Sequence, residues 1–286
     1  MEAESAGIAW MTGIFLGLSE RHVDLRDANL TVGTSAGATL AAQLGSTASL
    51  DELFRRFVEP SAQSKEIEPD ARLLDSFHQF RSTLPSELDP AERIRRIAKW
   101  ALENPTVPES ERRAVVAARL PSHSWPAAEI QIVVVDAHSG EMTVFDRNSQ
   151  VHLVDAVTAS CAVPGIWPPM TIHGRRYVDG GVRSSENADL AKGFARILIL
   201  SPMGTTLPRI GGNRLNEQIE VLRNAGGKTC LVSPDAKSRK AIGLNPLSLA
   251  TRRPTAEAGR EQGRRIAVDV ATFWKSDAPT NSILVD

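Results

Sequence analysis

Leu30-Thr31-Val32-Gly33-Thr34-Ser35-Ala36-Gly37-Ala38-Thr39-Leu40 is the stretch on which the reading of this chain turns. Three residues that favour extended backbone run into Gly33, and an alanine-rich, helix-compatible run follows Ala36, so Ser35 falls on a sharp strand-to-helix turn. That is the arrangement of a nucleophile elbow, with Gly33, Thr34, Ala36 and Gly37 around the serine. Glycines two residues before and two after let strand and helix pass without side-chain collision. The hydroxyl then projects at a helix N-terminus, where free backbone N–H groups favour developing negative charge. The same pentad also reads as a glycine-rich turn capping a core helix, with Ser35 bonding locally. A second residue has to decide between them.

Composition sets the outer bounds. A chain of 286 residues accommodates one large α/β domain or two small ones, with a substantial core. Lys and Arg number 33 and Asp and Glu 34, so no global field recommends nucleic acid or an anionic surface as partner. The paired arginines are scattered through acid-rich helical stretches and read as solvated faces. Cys161 and Cys230 lie in apolar or small-residue settings without metal-ligand spacing, and read as buried thiols of a reducing compartment. No metal or cofactor is implied. The apolar run 6–18 is too short to span a bilayer, and acidic Glu2 and Glu4 precede it where a signal peptide carries basic residues. The expected location is cytoplasmic, at most peripheral at a membrane.

Along the chain, 6–23 reads as an apolar helix whose Gly7, Gly13 and Gly17 permit close packing, 30–32 as a strand and 36–45 as a helix. Charged amphipathic helices follow at 50–58, 70–83, 90–103 and 109–120, separated by turns at Pro60, Pro85, Pro105 and Pro108. This helical insertion, about 49–120, has the position of a cap over a site. Strands are expected at 129–136, 142–146, 170–173, 176–178, 195–200 and 229–232, and helices at 151–161, 214–225 and about 256–274. The pattern is that of a three-layer α/β fold, a mostly parallel sheet with helices on both faces. Without repeats or a low-complexity linker, residues 1–286 read as a single domain.

A serine nucleophile needs a proton acceptor. None of the six histidines, His22, His78, His123, His138, His152 and His173, stands in a strand-end turn with a supporting acid nearby in sequence. The second glycine-framed site is Tyr177-Val178-Asp179-Gly180-Gly181, where the Asp179 carboxylate ends a short strand. Taken alone, Asp-Gly-Gly is also a plain turn signal.

Gly33-Thr34-Ser35-Ala36-Gly37 together with the downstream Asp179-Gly180-Gly181 resembles the patatin-like phospholipases. The run ASCAVPGIWPP at 159–169, the following TIHGRRYVDGGVRSSENADLA, AGIAW at 6–10 and the closing SPDAKSRKAIGLNPLS are similar to bacterial members of that family. The resemblance implies a patatin-like fold and a Ser/Asp dyad without histidine, with Ser35 as nucleophile and Asp179 as general base. It implies a hydrolase of lipid esters, phospholipase A- or lysophospholipase-like, working through an acyl-enzyme. A catalytically impaired relative that binds lipid or serves as a scaffold is the alternative.

The chain departs from that pattern at its start. Members similar to it begin with an apolar strand and a glycine-rich loop whose N–H groups form the oxyanion hole, whereas here Met1-Glu2-Ala3-Glu4-Ser5 stands in that place. Ser5, Ala6 and Gly7 are the residual candidates for oxyanion contacts. Loss of one oxyanion donor costs on the order of 3 kcal/mol in barrier, and a missing central strand leaves neighbouring ladder groups unpaired. A start downstream of the true one, or a weakened enzyme, is the favoured expectation because Ser35 and Asp179 both remain. For membrane contact the candidates are Ile166, Trp167 and Met170, which also read as core residues, and the helical segment before Leu120.

Overall fold

The computed structural model describes residues 4–68, 70–104, 106–204, 215–243, 249–275 and 282–285. Met1, Glu2 and Ala3, the Pro105 turn and Arg214 at the expected start of a helix lie outside the described residues. The chain opens on helix α1 (Glu4–Ser19), then strand β1 (Leu30–Gly33) and helix α2 (Ala36–Leu44). The expected helix to 23 is cut short by a turn in which the Arg21 and His22 amides bond back to Leu18 and Ser19 and His22 takes a positive φ of 61°.

Four helices, α3 (Leu50–Val58), α4 (Ala71–Ser82), α5 (Pro90–Glu103) and α6 (Glu109–Arg119), fill the segment where charged amphipathic helices are expected. Their starts are written locally. Ser49 and Glu52 form a capping box on α3, Asp70 and Asp89 cap α4 and α5, and Pro90 occupies the first turn of α5, where its missing N–H costs nothing. Next come β2 (Ile130–Asp136), β3 (Met142–Phe145), α7 (Leu153–Ser160), β4 (Met170–Ile172) and β5 (Arg175–Asp179). The chain continues through β6 (Arg196–Leu200), α8 (Leu215–Asn224), β7 (Lys228–Val232), α9 (Ala236–Ile242), α10 (Arg252–Lys275) and β8 (Ser282–Val285).

The strands form one mixed sheet whose hydrogen-bonding path is β4-β5-β2-β1-β8-β6-β7, with β3 also on β2. The run β2-β1-β8-β6-β7 is parallel; β3 and β5 pair antiparallel with β2, and β4 pairs antiparallel with β5. Alternating side chains separate the layers. Leu198, Leu200 and Leu284 pack with residues of α1, α3 and α10, while Ile197, Ile199, Ile283 and Val285 pack with Leu215, Ile219 and Leu222 of α8. This is the expected three-layer α/β arrangement with helices on both faces.

The unpaired ladder anticipated in place of a missing first strand is not what the structure holds. β8, which the sequence pattern did not disclose, lies between β1 and β6, with Thr31 opposite Leu284 and Ile197 opposite Ile283. Its Ile283, Leu284 and Val285 are buried, so four residues supply both backbone partners and core side chains to the middle of the sheet. Cys161 is buried as expected, but Cys230 is only half-buried, because it stands on β7 at the end of the sheet path.

α1 lies alongside α10 in parallel. A Cβ at Gly13 would strike the Ala256 carbonyl, one at Gly17 the Arg260 carbonyl, one at Gly259 the Trp10 carbonyl and one at Gly263 the Ile14 carbonyl. Backbones that close leave room for hydrogen only. Glu20, just past α1, accepts from Arg260 and Arg264 on α10. Burial opposes ionisation of Glu20, but the two guanidinium groups outweigh it and hold its carboxyl down at about 2. Among the described residues no helix is long and apolar enough to cross a membrane.

Two outcomes follow from this packing. Gly259→Val overpacks the α1/α10 contact and lowers unfolding free energy by roughly 1–3 kcal/mol in urea titrations; an unchanged midpoint contradicts the packing. A carboxyl whose folded pKa is depressed stabilises above its unfolded value and loses that contribution as pH falls, here from 4.5 toward about 2. Wild type therefore loses more stability across that window than Glu20→Gln, and parallel acid limbs contradict the ion-pair assignment.

Candidate active site

β2 is the strand on which the site is assembled. β3 pairs with residues 132–135 of β2, overlapping both the β1 pairing at Ile132 and the β5 pairing at Val134 and Val135. A strand has only two hydrogen-bonding edges, so β1 and β5 share the edge opposite β3 and run toward each other end to end. β1 ends with Gly33 opposite Ile132 and β5 ends with Asp179 opposite Val134. At about 3.3 Å per residue, these two ends are roughly 7 Å apart along β2. The topology thus delivers the Ser35 turn and the Asp179 turn to one place.

Ser35 takes φ 57° and ψ −113° at the start of α2, and its side chain makes no capping bond to the helix. For a residue with a Cβ such backbone angles cost of order 1–3 kcal/mol and persist only where neighbours over-determine them. The half-buried serine is therefore a built elbow and not a helix cap. Gly33 has the role its position suggested: a Cβ there would stand 2.6 Å from the Gly37 carbonyl oxygen and 2.7 Å from Ala38 Cα. Thr34 and Ala36 are buried on either side of the serine.

The aspartate turn is locked against the elbow. A Cβ on Gly180 would lie 2.5 Å from the Val133 carbonyl oxygen and 3.2 Å from Thr34 Cγ2, so only glycine lets this turn lie against β2, and it does so beside residue 34. Asp179 is buried; its Oδ1 accepts from the Gly181 N–H at 2.7 Å, and its own N–H donates to the Ala162 carbonyl at 3.1 Å. Asn187, fully buried with φ 46°, donates from Nδ2 to Thr34 Oγ1 at 3.1 Å and to the Ser184 carbonyl at 2.7 Å. Its Oδ1 accepts from Arg183, whose guanidinium also grips Asp189. Arg183, four residues beyond Asp179, is thereby turned to another carboxylate.

Other expected residues lie elsewhere. All six histidines are exposed. Ser5 Oγ accepts from Arg252 Nε at 3.4 Å, and Ser5 lines a small cavity of about 30 Å³ with Gln43, Glu66, Arg119 and Arg252. Gln43 is eight residues beyond Ser35, about 12 Å along α2 at 1.5 Å per residue. Ser5 thus stands at the far end of that helix, and Ala6 and Gly7 follow in the same buried first turns of α1. Ile166, Trp167 and Met170 are core residues. Trp167 lies beneath the buried Arg112 guanidinium of α6, at 3.8 Å, and shares a cluster with Phe77, Ile94, Ile97, Val178 and Val182. The cap helices therefore seat directly on the strand and turn that carry Asp179. Among the described residues no cluster of His, Cys, Asp and Glu could hold a metal ion.

Three residues escaped the sequence reading as site residues: Ser160, Cys161 and Asn187. Ser160 Oγ accepts the Ser35 N–H at 2.9 Å and donates to the Val133 carbonyl at 2.7 Å, and Cys161 Sγ donates to the Ser35 carbonyl at 3.2 Å. The available signal was polar residues ending a small-residue helix just before Pro164.

Fold and site together define an α/β protein in which a strained serine turn and a glycine-framed aspartate turn end neighbouring strands along one edge of β2. A family model described as patatin-like phospholipase matches residues 5–192, and the chain belongs to that family. No curated protein matches the sequence. Among solved structures, VipD from Legionella pneumophila is similar at 12% identity and a TM-score of 0.45, over 94% of this chain and 66% of that chain. This chain thus spans just under two thirds of VipD's length.

Asn187→Ala removes the donor shared by the elbow and the aspartate turn and places alanine at a positive φ. The expected loss is about 1–3 kcal/mol of unfolding free energy, read by chemical denaturation; wild-type stability contradicts the locking role.

Proposed function

We propose that this protein is a serine acyl hydrolase of lipid esters that works through Ser35 and Asp179. The observation carrying this reading is the strained Ser35 backbone, held at the start of α2 with the Asp179-Gly180 turn pressed against the preceding residue. Family membership points to the same chemistry.

In this mechanism Asp179 accepts the Ser35 hydroxyl proton as Oγ attacks the ester carbonyl. The tetrahedral oxyanion collapses, the alcohol portion leaves with that proton, and the acyl group remains on Ser35. Water then attacks the acyl-enzyme, giving its proton to Asp179, and the fatty acid departs as the proton returns to Ser35 Oγ. The first amides of α2, beginning at Ala36, lie at the positive end of the helix, where an oxyanion is favoured.

The competing reading is a lipid-binding relative with little chemistry, and the position of Ser5 with Arg252 and Gln43, away from Ser35, is what favours it. Turnover of medium-chain p-nitrophenyl esters separates the two. The hydrolase reading predicts measurable turnover in wild type, background rates in Ser35→Ala and at least a hundredfold loss in Asp179→Asn, about the scale of a general base. Silent wild-type protein that still binds lipid vesicles supports the competing reading, and undiminished turnover in Ser35→Ala contradicts the dyad.

A further inference from the structure

Three consecutive residues at the end of α7 touch both members of the dyad. Ser160 Oγ accepts from the Ser35 N–H at 2.9 Å, and Cys161 Sγ donates to the Ser35 carbonyl at 3.2 Å. The Ala162 carbonyl accepts from the Asp179 N–H at 3.1 Å. The Ser160 hydroxyl has one proton, which goes to the Val133 carbonyl on β2, so its lone pair is oriented at the Ser35 amide.

Among the described residues that amide has no other regular acceptor. The β1 ladder ends at Gly33, and the N–H of a residue preceding a helix takes no part in the helical ladder. Among the described residues the Ser35 carbonyl accepts a long bond from Thr39 N–H, 3.3 Å, and one from Cys161. Ser160 is fully buried, 125 residues from Ser35 in sequence, and its hydroxyl spans the elbow and the central strand at once.

From this we infer that Ser160-Cys161-Ala162 is the segment that sets the spacing of the dyad, with Ser160 a positioning residue that holds the Ser35 peptide at positive φ. The catalytic part of the inference rests on the Ser35/Asp179 reading; the clamp itself does not. Ser160 touches no reacting atom. It acts by keeping Oγ of Ser35 aimed at the ester carbonyl and at Asp179, and misplacement of a reacting group by an ångström costs about a hundredfold in rate.

The experiment uses the full chain and two variants, Ser160→Ala and Ser160→Thr, with p-nitrophenyl ester kinetics, melting temperature and residue-resolved amide exchange at Ser35. The expected result is a kcat about ten- to a hundredfold lower in Ser160→Ala with KM within about twofold of wild type. Recovery of most of that loss is expected in Ser160→Thr, which restores the hydroxyl. Ser35 amide exchange is at least tenfold faster in Ser160→Ala than in wild type. A merely structural role lowers the melting temperature and leaves kcat per folded molecule and Ser35 exchange unchanged, which overturns the inference. If threonine does not fit the packed site, the exchange comparison between wild type and Ser160→Ala decides alone. If wild type shows no turnover, the hydrolase reading fails, while faster exchange in Ser160→Ala still upholds the clamp and unchanged exchange still overturns it.

Discussion

A serine at φ 57° and ψ −113° does not hold that conformation unaided, and the organisation of this molecule follows from what holds it there. Behind Ser35, β1 is paired on both sides, by β2 and by β8. Ahead of it, α2 begins at once, and Gly33 lets the helix start fold back over the strand end. From the side, the end of α7 bonds both peptide groups of the serine. Thr34, the residue before it, is bonded to Asn187, which belongs to the segment following Asp179. The strain is local, but the restraint comes from four parts of the chain far apart in sequence.

The same economy of distance governs the aspartate. β5 runs down the edge of β2 that β1 runs up, so the two strand ends meet without either turn having to reach. Gly180 carries no side chain to strike the Val133 carbonyl of β2, so the aspartate turn lies close against that strand. The cap helices add a second layer of restraint, because Phe77, Ile94 and Ile97 share a cluster with Val178 and Val182 on either side of Asp179. On the other side of the sheet, the glycine-lined contact of α1 with α10 and the insertion of β8 complete the core behind β1.

How much of this was legible in the sequence depended on how local the signal was. The elbow was readable because its constraint is contained in five residues: Gly33 and Gly37 mark where the backbones approach. The four helices at 50–120 were readable from their amphipathic spacing and the prolines between them. The α1 glycines announced a close contact, though their partners Gly259 and Gly263 are some 250 residues away and inside a charged helix. β8 was not readable, since Ser-Ile-Leu-Val is too short to show a period and its place comes from the slot between β1 and β6. Ser160 and Asn187 were invisible for a related reason. A polar residue's meaning lies in its partner, and theirs are 125 and 153 residues distant. Ser5 shows the reverse error, in which a place in sequence implied a place near Ser35 that the helix geometry does not provide.

The central claim is that the elbow and the aspartate turn form one reactive site. Peptide mapping by mass spectrometry after treatment with a fluorophosphonate tests it most directly. The account predicts a single adduct, on Ser35, whose formation is strongly slowed in Asp179→Asn protein of native fold. An adduct on another serine, or labelling of Ser35 at the wild-type rate without the Asp179 carboxylate, would contradict it.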